Sequence, residues 1–194
     1  MEVLGPSATE FTPLPPDEVL KPAWPADVKD VTELMRQAAA FKRQQGDQLW
    51  GDQPFTEDEV ASMIERGNLF VFKIDGVAAA SVVLAPSDVR IWGPDDGADG
   101  SALYIHRLCV GDAFRGIGTR VMTAAEDYAL NNGKTKLRLD CPYDNPGLCT
   151  YYENFGFEEM RREDRPNSAG GRNPDQDVYR AALYEKEIMN GGDS

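Results

Sequence analysis

The chain has 194 residues, of which 41% are hydrophobic and 27% charged, the composition of one ordinary globular domain with a buried core. Its 20 Lys and Arg against 33 Asp and Glu give a formal net charge of −13. That charge argues against nucleic-acid binding, which needs cations at the phosphates. It is compatible with a cationic substrate or with solubility alone.

The cysteines and the histidine predict reduced thiols and no metal centre. Cys109, Cys141 and Cys149 lack the spacing of metal ligands, and His106 is the only histidine. We therefore expect a cytoplasmic protein. The N-terminus lacks the basic and apolar segments of a signal peptide, and the longest apolar run, 77–85, is too short to span a membrane. No membrane association is expected.

The N-terminal third of the chain is predicted to contain an arm, one strand and two helices. Residues 1–18 carry four prolines and are predicted to be extended or disordered. The segment 19–24 is predicted to be a short strand at an edge of the sheet, because Pro22 suits an edge strand and not a central one. Apolar residues at helical spacing predict a helix from Val28 that ends before Gly46, and a capping box opens a second helix over about 56–66.

The remaining pattern alternates strands and helices. Runs 68–74 and 77–85 flank Asp75-Gly76, which predicts a β-hairpin with a type I′ turn. Further along we predict, in order, a loop over 86–101, a strand at 102–110, a helix over about 117–131 and a strand at 135–141. A helix from Asn145 that stops at Gly156, a strand from Phe157, a polar loop over 163–176 and a strand at 177–187 follow. This order predicts a mixed sheet with helices on its faces, in a single domain over 19–188 followed by a flexible tail, 189–194.

Three motifs lie in the region 102–157, namely LYIHRLCVGDAFRGIGTRVM, LRLDC and NPGLCTYYENFGF. In this order and spacing they resemble the GNAT superfamily of acyl-CoA-dependent N-acyltransferases. The residues that fall on the family's N-x-x-A-x-x-x-Y-x-x-x-G-F pattern are Asn145, Tyr152, Gly156 and Phe157. Leu148 replaces the small residue of that pattern.

The resemblance implies an α/β protein of GNAT fold, with a mixed, twisted sheet of about six or seven strands, helices on both faces and a splayed central strand pair. It implies an N-acetyltransferase that uses acetyl-CoA as co-substrate and no metal. The acetyl group would pass by direct attack in a ternary complex to a primary amine of a small cationic molecule or a peptide. The protein would be a monomer or a homodimer. A degenerate domain that binds acyl-CoA or a partner protein without turnover is the alternative.

The implied cofactor site combines the strand before the glycine loop, the loop itself and the start of a later helix. Strand backbone would bind the pantetheine arm, and N–H groups at the helix N-terminus would bind the pyrophosphate. Glycines allow the backbone to approach the phosphates closely. The predicted cofactor contacts are Leu108, Cys109, Val110, Arg115, Gly116, Ile117, Gly118, Thr119, Arg120 and Asn145. An N-cap role explains Asn145 equally well.

The glycine loop admits two alignments with the family motif Arg/Gln-x-x-Gly-x-Gly/Ala. Read literally, Arg115 and Gly118 match, and Arg120 takes the last, normally small position. An apolar helix face that begins at Ile117 favours the other alignment, in which Ile117-Gly118 end the motif and the loop is two residues shorter. A shorter loop offers fewer backbone donors, and Arg115 or Arg120 would replace them. A turn that binds no ligand is the remaining reading.

The resemblance also suggests a proton donor, and one residue nearby suits a proton acceptor. Tyr152 falls where the family places a tyrosine near the CoA sulfur, and a phenol is protonated at neutral pH, so it suits the general acid. Helix packing is the structural alternative. The His106 imidazole suits deprotonation of the amine, directly or through water. A purely structural role is the alternative for His106, and Asp140 is a rival base.

Aromatic and acidic side chains are the candidates for binding the acceptor. The predicted acceptor contacts are Trp50, Trp92, Tyr104 and Asp140. Aromatic rings stack on apolar or cationic groups, and a carboxylate attracts an ammonium group. Core packing or solvation explains each of these residues equally well.

Overall fold

A seven-stranded sheet is the centre of the computed structural model, which describes residues 19–46, 50–51, 55–94, 99–166 and 177–189. The predicted arm, and the predicted tail except for Met189, lie outside the described residues. The strands are β1 (Leu20–Pro22), β2 (Leu69–Ile74), β3 (Val77–Ala85), β4 (Ala102–Val110), β5 (Lys136–Pro142), β6 (Glu158–Pro166) and β7 (Val178–Glu187). The helices are α1 (Val28–Gln44), α2 (Glu57–Glu65), α3 (Val89–Trp92), α4 (Gly118–Asn131) and α5 (Pro146–Asn154).

The strand order is β1-β2-β3-β4-β5-β7-β6, and each neighbouring pair is antiparallel except β4 and β5. Helix α4 connects these two, because a parallel pair needs a crossover. The predicted hairpin turns at Asp75 and Gly76, whose φ angles of 50° and 79° fit a type I′ turn. The predicted edge strand, with Pro22, forms one edge of the sheet. The mixed sheet and its helices confirm the predicted fold class.

Helices pack against both faces of the sheet. On β2, Phe70 and Phe72 belong to the cluster that includes α4 and α5, whereas Leu69 and Val71 belong to the cluster that includes α1 and α2. This alternation is the two-residue period of a strand that is buried on both sides.

The central strands β4 and β5 separate halfway along their length. They pair from Ala102–Lys136 to Ile105–Leu139, and no further pairing joins them. Beyond that point β4 stays with β3 and β5 stays with β7. On β4, Arg107 and Leu108 oppose one residue of β3, and Arg107 has a φ of 49°. This bulge bends β4 where the two strands part, so the predicted splay is present.

Two segments differ from the sequence prediction. Residues 89–92, predicted as loop, form the single turn α3, whose N-cap Asp88 accepts a hydrogen bond from the Ile91 N–H at 3.3 Å. Strand β6 continues to Pro166, inside the polar segment 163–176 that we predicted as a loop. One helical turn is too short to show a helical period in the sequence.

Candidate active site

A cleft of about 1050 Å³ lies where β4 and β5 separate. Residues of α1, β4, β5 and α5 line it, together with the loop that precedes α4. The predicted site residues that line this cleft are Trp50, His106, Leu108, Val110, Arg115, Gly116, Gly118, Thr119, Asp140, Asn145 and Tyr152. The splay therefore brings the predicted cofactor loop, acid and base into one cavity.

The glycine loop passes directly into α4. Gly116 has a φ of 95°, in the left-handed region that favours glycine, and the helix begins at Gly118. Ile117, just before the helix, is buried with Val121 and Met122 in the core. The helix thus begins in the register that its apolar face predicts. Its first turn has N–H groups without intrahelical partners, and Gly118 and Thr119 of that turn line the cleft.

The two arginines of this region differ in position. Arg115 lines the cleft, where its guanidinium lies 3.4 Å from the ring centre of Phe41 and pairs with Asp112 at 2.5 Å. Arg120 is not among the residues that line the cleft, and its guanidinium lies 5.9 Å from the ring centre of Phe72. Arg115 is therefore the better placed of the two to contact a phosphate.

The separated part of β4 turns alternate side chains to opposite faces. Leu108 and Val110 line the cleft, whereas the side chain of Cys109 is buried in the cluster beneath α1. Burial raises the pKa of the Cys109 thiol to about 12. Cys109 can therefore contribute to the cleft only through its backbone.

Tyr152 is 9% exposed and packs its ring against Tyr151, Phe157 and Tyr184. Tyr152 lines the cleft, and none of the described residues forms a hydrogen bond with its hydroxyl. Burial raises its pKa above the ordinary value, and the nearby Cys141 adds to the rise. The phenol is therefore protonated at neutral pH, which is the state that the predicted general acid requires.

His106 lies between two carboxylates. Its Nδ1 is 3.8 Å from Oδ1 of Asp140, and its Nε2 is 3.5 Å from Oδ2 of Asp88. The imidazole is 26% exposed and both carboxylates are 11% exposed. Because each carboxylate approaches a different ring nitrogen, the three groups suit proton transfer better than they suit one metal ion, which would take a single imidazole nitrogen.

Asp140 is held from its other side by Tyr179. The Tyr179 hydroxyl donates a hydrogen bond to Asp140 Oδ2 at 2.5 Å. Burial raises the pKa of Asp140 above its ordinary value, against the opposing effects of His106 and Tyr179. Asp140 is thus a fixed, largely buried neighbour of the imidazole.

Two predicted acceptor contacts do not line the cleft. Trp92 and Tyr104 are buried in a separate cluster, with their ring centres 6.0 Å apart. The guanidinium of Arg138 lies 4.6 Å from the Trp92 ring centre and donates a hydrogen bond to the Tyr104 hydroxyl at 2.8 Å. The protein's own arginine therefore occupies the place that we had predicted for a cationic acceptor.

Several residues that line the cleft were missed in the sequence. Asp88 carries no signal beyond N-capping of the short α3. The other cleft residues of interest that were missed are Lys42, Arg66, Asn68, Arg90, Arg107, Tyr151 and Tyr179. The cleft therefore has more basic than acidic side chains, although the chain as a whole has a formal charge of −13.

The fold and the cleft define an acyltransferase of the acyl-CoA-dependent class. A model of the acetyltransferase (GNAT) family matches residues 31–157. The chain belongs to that family and is an acyl-CoA-dependent N-acetyltransferase.

Comparison with individual proteins agrees with this assignment. The uncharacterized N-acetyltransferase YesJ of Bacillus subtilis (strain 168) is 37% identical over 147 residues, which cover 72% of this chain and 81% of YesJ. A GNAT-family acetyltransferase of Listeria monocytogenes 4b F2365 superposes with a TM-score of 0.69 at 24% identity, over 88% of this chain and 95% of its own.

The putative acetyltransferase yncA of Salmonella typhimurium, solved with its cofactor acetyl-CoA, gives a TM-score of 0.64 at 14% identity, over 91% and 97% of the two chains. At these identities the structural matches show the fold alone. None of the helices in the described part of this chain is long and apolar enough to cross a membrane.

Proposed function

We propose that the protein transfers an acetyl group from acetyl-CoA to a small primary amine by direct attack in a ternary complex. The observation that carries this proposal is the position of His106, which lines the cleft with a carboxylate near each ring nitrogen. Tyr152 and the first turn of α4 line the same cleft. The proposed base, acid and cofactor site thus share one cavity.

The proposed cofactor site follows the separated edge of β4. Beyond Ile105 that edge has no partner strand in β5, so its backbone groups are suited to the amides of the pantetheine arm. The phosphates would lie at the start of α4, near the cation of Arg115. Asn145 caps α5 by accepting a hydrogen bond from the Leu148 N–H at 3.1 Å and lines the cleft at the same time.

In the proposed reaction the amine nitrogen attacks the thioester carbonyl and forms the new C–N bond, while the C–S bond breaks. Before this attack His106 takes a proton from the ammonium form of the acceptor, and Asp140 stabilises the resulting imidazolium, which returns the proton to solvent. The nitrogen loses its second proton to solvent as the C–S bond breaks. Tyr152 gives its proton to the leaving thiolate and regains one from solvent. His106 is preferred to Asp140 as the base because the imidazole is more exposed, whereas Asp140 already accepts a hydrogen bond from Tyr179.

The proposed acceptor carries one ammonium group, held near Asp88 and Asp140. Asn68 lines the cleft, and its side-chain oxygen is buried without a hydrogen-bond partner among the described residues. This oxygen would accept a hydrogen bond from the ammonium group. Arg66 and Arg107 line the cleft as well. Their charge disfavours a polyamine, so the overall acidity of the chain does not extend to this end of the cleft.

Two measurements on the intact protein test the proposal. A calorimetric titration should show acetyl-CoA binding, and absence of binding at millimolar cofactor would contradict the proposal. A thiol-release screen over amines should then show turnover with monoamines in preference to polyamines. Cofactor binding without turnover on any amine would indicate the alternative, a domain that binds acyl-CoA without catalysis.

A further inference from the structure

The side chain of Tyr151 reaches from α5 to the first turn of α4. A Cβ atom added to Gly118 would lie 2.8 Å from the Tyr151 hydroxyl oxygen and 3.6 Å from its Cζ. The hydroxyl therefore lies directly beside the first helical residue, and glycine is the residue that leaves room for it.

This hydroxyl is buried and has no hydrogen-bond partner within the described parts of the chain. Burial raises the pKa of the Tyr151 hydroxyl above its ordinary value. The neighbouring Thr119 hydroxyl opposes this rise, but its position does not satisfy the geometry of a hydrogen bond to Tyr151. A buried donor without an acceptor costs free energy, so most such groups have a partner. A bound ligand is one way to supply that partner.

The surroundings of the Tyr151 hydroxyl suit an anion. Tyr151, Gly116, Gly118 and Thr119 line the cleft together. The first turn of α4 contains no acidic residue, and its N–H groups are unpaired within the helix. Arg115 supplies a cation on the same loop.

We propose that the Tyr151 hydroxyl donates a hydrogen bond to a pyrophosphate oxygen of acetyl-CoA. In the alignment that the helix register favours, the glycine loop is two residues shorter than the family motif and offers fewer backbone donors. The tyrosine replaces one of them with a donor from a neighbouring helix. This assignment rests on the proposed use of acetyl-CoA by this cleft.

The first test compares two acetyl donors on the Tyr151→Phe variant. S-acetylpantetheine lacks the pyrophosphate, so ligand-observed NMR should give the same affinity for variant and wild type. Calorimetry with acetyl-CoA should show a Kd about tenfold higher, because a hydrogen bond to a charged group is lost. Tyr128→Phe on α4 is the matched control, since Tyr128 does not line the cleft, and it should leave both affinities unchanged.

Each other outcome has a defined meaning. An unchanged Kd for acetyl-CoA, or an equal loss for both donors, would overturn the assignment and leave Tyr151 a packing residue. If wild-type protein does not bind acetyl-CoA, the proposed function fails instead.

A second variant tests the same contact without removing the tyrosine. In Gly118→Ala the new methyl group would displace the hydroxyl, and acetyl-CoA affinity should fall by a similar factor. In the double variant with Tyr151→Phe the oxygen is absent, so the alanine should cause no further loss. Thermal unfolding of each variant confirms that it is folded. Fully additive losses would contradict the proposed contact.

Discussion

Asp140 and His106 face each other, 3.8 Å apart, one residue beyond the last pair that joins β4 and β5. The strands separate at this point, so the splay that opens the cleft also positions the proposed base. The distances from the imidazole nitrogens to the Asp140 and Asp88 carboxylates, 3.8 Å and 3.5 Å, exceed those of a short hydrogen bond. In the proposed reaction this imidazole takes a proton from the substrate.

The Tyr152→Phe variant should lower kcat by about a hundredfold and leave the Kd for acetyl-CoA nearly unchanged. Phenylalanine keeps the ring packing against Tyr184 and removes only the proton donor. Steady-state kinetics with calorimetry of the cofactor separates the two quantities. Equal losses in turnover and cofactor affinity would argue for a packing role.

The Asp88→Asn variant should raise KM for the amine about tenfold and leave acetyl-CoA affinity unchanged, because a carboxylate near the amine is lost. Asp99→Asn is the control, since Asp99 is exposed and does not line the cleft. If both variants behave like wild type in amine kinetics, Asp88 does not contact the acceptor.

Arg115→Gln should weaken acetyl-CoA binding several-fold, and more at low salt than at high salt, because a charge-assisted contact to phosphate is lost. Arg120→Gln is the matched control, as Arg120 does not line the cleft. Calorimetric titration at two salt concentrations measures both. A larger effect at Arg120 would show that the literal alignment of the glycine loop describes the bound state.

Stability should depend on the ionised carboxylate of Glu185, which accepts hydrogen bonds from Lys136 at 2.8 Å and from Arg138 at 2.6 Å. Burial raises the pKa of Glu185, but these two bonds outweigh it and hold the pKa below its ordinary value. The stabilisation is therefore full above the unfolded-state pKa of about 4.3 and is lost as the pH falls through the folded-state pKa.

Glu185→Gln should lower the free energy of unfolding by about 1–2 kcal/mol at pH 7 and by much less near pH 3. Denaturant unfolding at both pH values checks this, with the exposed Glu187→Gln as control. A loss that is the same at both pH values would mean that packing, not charge, is responsible.

Local patterns predicted the parts of the fold that local physics decides. The Asp75-Gly76 turn, the capping box at Thr56 and the apolar face that places the start of α4 all depend on a few neighbouring residues. The family resemblance that the three motifs carry also implied the splayed central strand pair, which is present between β4 and β5.

Contacts between segments that are far apart in the chain could not be predicted from the sequence. Trp92 is buried in a cluster with Tyr104 and lies under the guanidinium of Arg138 from β5. No local pattern distinguishes Trp92 from Trp50, which lines the cleft. Asp88 reaches His106 because β3 and β4 are neighbours, and its own segment predicts only a loop. Tyr151 and Gly118 are adjacent because of the way α4 and α5 pack, and no local sequence pattern predicts that packing.

The turnover of His106→Gln across pH tests the central claim, that this cleft acetylates an amine with His106 as base. At pH 7 the variant should bind acetyl-CoA normally and lose at least about a hundredfold in kcat. The defect should shrink as the pH approaches the pKa of an alkyl amine, about 10, because the acceptor then arrives deprotonated. Turnover within threefold of wild type at pH 7, or a defect that is independent of pH, would contradict the account.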